Sequence, residues 1–244
     1  DQPLPAYVVE RAMPSPGKPY GIEGLRAELI GRDDELAKLK AAMSRLLKGD
    51  GQMAALIGEA GIGKSRLVAE LKAQVTSDAS RVTSGSSLSS SLVTRRSSLL
   101  WLEGRALELG MTTGYSVFID LLRGCFPSQP NQEGELQGPH LAAWLQEFVS
   151  RQELSADEAE EMGPLLGHML SLHFGTGWDE RLKHAGPEQI RHQTLAAVRD
   201  LLLALARRQP VVLVLEDLHW ADRLSLDLLF LLTEALPRAA LFIV

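Results

Sequence analysis

A single cysteine, Cys125, stands among 244 residues, which excludes an internal disulfide framework and suits a reducing compartment. Long apolar runs are missing too. Stretches such as residues 201–206 and 211–215 fall far short of the roughly 20 apolar residues a bilayer-spanning helix needs. Basic residues are outnumbered, 25 Lys and Arg against 31 Asp and Glu, so the net charge of −6 offers no broad footprint for nucleic acid. The six histidines find no Cys or His partner at zinc-ligand spacing. Ser225 and His219 lie close in sequence without the G-x-S-x-G elbow of a serine hydrolase. No stretch repeats internally. The opening Asp1-Gln2-Pro3 carries neither an initiator methionine nor a secretory pattern, and reads as the middle of a longer, cytoplasmic polypeptide.

What is present, 45% apolar and 23% charged residues, supports a buried core in one large or two small domains. Within it, Gly58-Glu59-Ala60-Gly61-Ile62-Gly63-Lys64-Ser65 fits the pattern G-x-x-x-x-G-K-[ST]. An apolar run, Met53-Ala54-Ala55-Leu56-Ile57, precedes it, and a helix-compatible stretch over residues 66–75 follows. A strand thus delivers the chain to a tight turn, where Gly58, Gly61 and Gly63 let the backbone wrap its N–H groups around one centre. Lys64 supplies a mobile charge for the β- and γ-phosphates, and the Ser65 hydroxyl can ligate Mg²⁺. The helix entered at Arg66 adds its dipole and free amides. The pattern predicts a nucleotide phosphate site.

A second motif supplies what such a loop needs. Val211-Val212-Leu213-Val214-Leu215 is five consecutive apolar residues, three of them β-branched, as in a central parallel strand buried on both faces. It ends in Glu216-Asp217. One carboxylate can hold Mg²⁺ opposite Ser65, and the other can polarise a water for in-line attack on the γ-phosphate. If the two strands are parallel neighbours, both motifs fall on one edge of the sheet.

In chain order, residues 1–28 carry five of the 12 prolines and read as an extended interdomain linker, with Tyr7-Val8-Val9 as a short strand within it. Asp33 is placed to cap a helix running to about Lys48. Residues 77–98, with ten serines, read as a flexible insertion. A second strand is expected from Leu99 to Arg105, and residues 114–186 are expected to be mostly helical. Ser155-Ala156-Asp157-Glu158 is a capping-box start, while Gly163-Pro164 is expected to split that helix in two. A long helix can begin at Pro187. A further helix follows Asp222 and stops before Pro237, and a fourth strand begins near Ala239.

Three stretches together carry a family resemblance: Ile30-Gly31-Arg32 with Glu35, the glycine loop from Gly58 to Ser65, and Leu215-Glu216-Asp217-Leu218-His219-Trp220-Ala221-Asp222. They resemble the AAA-type ATPase module of STAND-class bacterial signalling regulators. That module is found in LuxR-type transcription regulators and behind class III adenylate or guanylate cyclase domains. The stretch from Trp101 to Tyr115 looks like the cyclase-linked branch. The resemblance implies a three-layer α/β P-loop fold with a mainly parallel sheet, a helical insertion between strands two and three, and an incomplete C-terminal side. It implies that Ile30 and Arg32 lie near the nucleotide, joining Gly58, Glu59, Ala60, Gly61, Ile62, Gly63, Lys64, Ser65 and Arg66 in its cradle. It places Glu216 on the magnesium side and Asp217 on the water-activating side, with the Glu-Asp order leaving that division open. Further implied are ATP or ADP with Mg²⁺ and attached cyclase, helical-repeat or DNA-binding domains, with a homo-oligomer left open. The function expected is Mg-dependent ATP binding with slow hydrolysis, as a regulatory switch. A non-hydrolysing scaffold and a small-molecule kinase are its rivals.

Overall fold

The structure, a computed structural model, describes residues 30–82, 99–108, 113–125, 137–174, 177–183 and 185–244, with residues 77–82 described through their backbone alone. The expected linker at 1–28 and most of the Ser-rich stretch lie outside the described residues.

Four strands form one all-parallel sheet: β1 (Gln52–Met53), β2 (Leu100–Arg105), β3 (Val211–Glu216) and β4 (Leu241–Ile243), in the order β1-β4-β3-β2. The glycine-loop strand and the acidic strand are therefore not neighbours, as the sequence reading supposed. β4 lies between them, pairing Phe242 with Gln52 on one side and with Val212 on the other. Parallel strands still align all their C-terminal ends on one edge, so the two motifs share that edge at a spacing of two strands. β1 is shorter than its apolar run. It pairs with β4 at two positions, after which Ala54 makes one more bond, to the Ile243 carbonyl at 2.9 Å.

β3 explains why its run is apolar throughout. Val212 and Val214 pack on one face with Phe242 and with two helices, α1 (Asp33–Leu46) and α2 (Lys64–Val82). Val211, Leu213 and Leu215 pack on the other, with Leu241 and Ile243, in the larger core. That is the two-sided burial that parallel sheets impose. α1 is not capped by the Asp33 side chain. Arg32 holds the cap position, and Asp33, Asp34 and Glu35 fill the first turn, where carboxylates favour the helix dipole. α2 begins two residues before the expected start and continues to Val82, past the expected end at Val75.

Between β2 and β3 come α3 (Ser116–Arg123), α4 (Gly138–Ser150), α5 (Ala156–Met169), α6 (Gly177–Arg181) and α7 (Pro187–Arg208). α8 (Arg223–Ala235) follows β3. The capping box at α5 is formed, with Glu158 N–H donating to Ser155 Oγ at 3.1 Å and Ser155 N–H to Glu158 Oε2 at 2.7 Å. The expected break at Gly163-Pro164 does not occur, and α5 runs through both residues. Proline removes the bond to the carbonyl four residues back. Here that carbonyl, on Glu160, accepts Arg181 Nη1 at 3.0 Å. Gly163 leaves room for Trp178, whose ring atoms would lie 2.1–2.7 Å from an added Cβ. A neighbouring helix thus repairs the defect from outside.

Candidate functional site

The glycine loop leaves the C-terminal end of β1 and enters α2 at Lys64. Gly61 and Gly63 hold φ of 79° and 95°, the left-handed region, which is why these two positions take glycine. Gly58 needs no such freedom of φ, and an added Cβ there would meet the Ile62 side chain at 3.2 Å. Residues Gly58, Glu59, Ala60, Gly61 and Ile62 are exposed, and Gly63, Lys64, Ser65 and Arg66 are half-buried where the helix begins. The Lys64 ammonium turns back into the loop and donates to the Gly58 and Glu59 carbonyls at 2.8 and 2.9 Å. α2 carries no carboxylate in its first turn, so the helix itself does not offset the positive end of its dipole.

Arg32 reaches the same loop from α1. Its Nη2 donates to the Ile62 carbonyl at 3.4 Å, while Nη1 bonds Glu35 at 2.8 Å and holds that carboxyl below the usual carboxylate range. Ile30, next to Gly31 with φ of 72°, stands 86% exposed.

On the acidic side, Glu216 is the half-buried last residue of β3. Asp217 turns the chain into the left-handed region, with φ 58° and ψ 37°, a conformation that aspartate tolerates better than most side chains. A 3₁₀ turn, Leu218–Trp220, follows directly. Asp217 Oδ2 accepts Arg105 Nε at 2.7 Å. Arg105 ends β2 and is register-paired with Glu216, so the acidic pair and this guanidinium come from adjacent strand ends. The Arg105 backbone N–H donates to Asp120 Oδ2 of α3 at 3.0 Å. A cavity of about 430 Å³ opens here, lined by Glu103, Arg105, Ser116, Asp120, Arg123 and Glu216 among others.

Gly104, between two lining residues, is a close-approach glycine. An added Cβ would lie 2.3 Å from the Val117 carbonyl oxygen and 3.0 Å from Leu121 Cβ, and a backbone neighbour cannot swing aside. Gly104→Ala is expected to push α3 off β2 at a cost of about 1–3 kcal/mol, the usual range for overpacking. A urea midpoint lowered at unchanged slope would register it; an unaltered midpoint would mean that α3 yields freely.

Asp222, which the sequence marks as the end of the acidic string and the start of a helix, completes the site region. It is 5% exposed and accepts five hydrogen bonds. They come from Tyr115 N–H, Ser116 N–H and Ser116 Oγ, each at 2.9 Å, and from Ser225 N–H at 2.9 Å and Ser225 Oγ at 2.6 Å. Burial pushes its carboxyl up, but the Ser225, Tyr115 and Ser116 donors together outweigh burial and hold it below the usual range.

Sequence reading also gave Arg105 no role beyond ending a strand. An arginine closing an edge strand opposite a carboxylate pair was the available signal, but only the register makes it specific. Among the described residues no group of three or more His, Cys, Asp or Glu side chains is arranged to hold a metal by itself. No helix is long and apolar enough to cross a membrane among those residues.

The AAA ATPase domain family matches residues 28–244. An uncharacterized protein of Rhizobium meliloti (strain 1021) is similar, 25% identical over 210 residues that cover 86% of this chain. The chain spans 17% of that relative's length. No solved structure matches significantly.

Proposed function

Since the chain belongs to the AAA ATPase domain family, we propose that it binds Mg·ATP at the Gly58–Arg66 loop and hydrolyses it slowly. We read it as a nucleotide-controlled switch, cytoplasmic and within a larger signalling polypeptide of the STAND type, cyclase-linked or transcriptional. The observation that carries the reading is the shared sheet edge. It gathers a left-handed glycine loop with its lysine and, two strands away, a carboxylate pair.

The residues present fit the group. The loop is exposed over residues 58–62, and open space surrounds Gly61 and Gly63, with no heavy atom within 4 Å of an added Cβ at either. The start of α2 contributes free amides and positive dipole to an anion. Lys64 would exchange its two carbonyl partners for phosphate oxygens, and Ser65 and Glu216 are the oxygen donors suited to Mg²⁺. Arg32 and Ile30 would flank the nucleotide, and Glu59, Ala60, Ile62 and Arg66 complete its cradle with ATP or ADP alike. Bound Mg²⁺ supplies charge neutralisation on the phosphate oxygens.

Asp217 would take the proton of the attacking water, and the Arg105 guanidinium, 2.7 Å from its Oδ2, holds that carboxylate in one direction. Arg105→Gln is accordingly expected to lower phosphate release by about two- to fivefold, the worth of a half-exposed ion pair. A rise instead would make Arg105 a competitor for Asp217.

The test of the proposal is titration of the folded chain with a fluorescent ATP analogue and Mg²⁺, followed by phosphate release under saturation. Saturable, Mg-dependent binding is expected, with turnover above background. No binding by a folded chain would overturn the reading. Binding without release would leave the scaffold alternative in possession.

A further inference from the structure

A helix cap needs one acceptor aimed at the first turn of its own helix. Asp222 does this for α8 through Ser225, yet three of its five donors come from Tyr115 and Ser116, more than a hundred positions earlier. Those two residues open α3, so one buried carboxylate serves the N-termini of two helices and faces the positive ends of both dipoles. A carboxylate offers about four lone-pair sites. This one is saturated.

The two helices lead to the acidic pair by separate routes. Along the chain, Asp222 fixes the end of the short segment Asp217, Leu218–Trp220 and Ala221, which holds Asp217 left-handed. Through space, α3 carries Asp120, which bonds the Arg105 backbone, and the Arg105 side chain pairs with Asp217. The contacts close a ring, of which Ser116, Asp120 and Arg105 line the cavity beside Glu216. Tyr115, itself left-handed at φ 63°, donates its phenol to the Arg191 carbonyl at 3.2 Å and so ties the ring to α7. A left-handed aspartate and a left-handed tyrosine both sit in a conformation that costs a non-glycine residue free energy. Each is adjacent to the ring that over-determines it.

We propose that Asp222 is a positioning residue for Asp217: its buried carboxylate locks the loop after β2 to the loop after β3 and thereby fixes the direction of the Asp217 side chain. This rests on the reading of Asp217 as the water-activating group. Asp222 never meets nucleotide. Its effect falls on turnover and not on binding, because the glycine loop and Lys64 hang from β1 and α2, outside the ring.

Asp222→Asn preserves shape but presents an NH₂ group to partners that can only donate at three of five positions. It is expected to lower kcat for ATP hydrolysis about tenfold or more, with KM and analogue affinity held within about twofold. Hydrogen–deuterium exchange should quicken together at residues 113–117 and 217–222. Ser116→Ala, a milder variant that keeps the core, should lower kcat by about two- to fivefold through the loss of one of the three long-range links. The control is Ser155→Ala, which removes the cap of α5, remote from the ring. It should lose stability while kcat and exchange at 217–222 stay at wild-type values.

If Asp222→Asn, or Ser116→Ala should the former not fold, loses stability alone with kcat and exchange at 217–222 unchanged, Asp222 is a helix cap and the proposal is overturned. If the wild-type chain binds the analogue but releases no phosphate, the hydrolysis reading fails by itself. The exchange measurement then decides the positioning. Coupled loss of protection in both loops upholds the lock, and loss confined to 113–117 refutes it.

Discussion

Asp217→Asn is expected to leave ATP-analogue affinity within about twofold and to cut phosphate release by about 10²–10⁴-fold, the contribution of a positioned general base. The substitution keeps shape and a hydrogen-bond acceptor for Arg105, and asparagine also tolerates the left-handed φ of 58°. Folding should therefore be spared, and what disappears is the proton acceptor. Steady-state phosphate release with a parallel binding titration reads both quantities. Loss of turnover in Glu216→Gln, with Asp217→Asn unaffected, would reverse the two carboxylates' roles. Release unaltered in both variants would mean that the wild-type signal was background and the nucleotide is never turned over.

Lys64→Ala should weaken Mg-dependent analogue binding by about a hundredfold or more, because it deletes two charge-assisted contacts of about 1.5–3 kcal/mol each. The side chain is not part of any core. It is half-buried and, among the described residues, bonds the Gly58 and Glu59 carbonyls, both in exposed loop residues that water can satisfy in its place. Circular dichroism and thermal melting should be nearly unchanged, so any loss of binding belongs to the site. Affinity within threefold of wild type would show that the loop amides and the α2 terminus hold the phosphates without the ammonium, and would remove Lys64 from the assignment.

How far the fold was legible depended on whether its determinants were local. The β3 strand announced itself through an unbroken apolar run, since both of its faces are covered and each residue carries its own evidence. The α5 capping box was equally visible, because donor and acceptor lie three residues apart. Strand order was not. Nothing in residues 52–53 or 211–216 says that β4 inserts between them, a fact settled by pairing at long range. Pro164 misled for the same reason: the proline is local, but the arginine that satisfies the freed Glu160 carbonyl sits on another helix.

The candidate site divides along the same line. The glycine loop is contiguous and its chemistry is written in the spacing, with Gly61 and Gly63 taking the conformations that only glycine adopts freely. Arg105 and Asp222 act through partners over a hundred residues away, and neither has a signature beyond an ordinary strand end or helix start.

The strand order also has a consequence for how the chain is made. β1 is the first of the four described strands to be synthesised, yet the residues that pair with it, Phe242 and Ile243, belong to the last of them. β2 likewise waits for β3. Each parallel pairing closes a long loop before any contact rewards it, the regime in which folding is slow and edges stay exposed. The helices between β2 and β3 can collapse early on short-range contacts, so they should gain protection first in pulse-labelled refolding. The glycine loop, anchored to β1, would then be the last part of the domain to acquire a fixed shape.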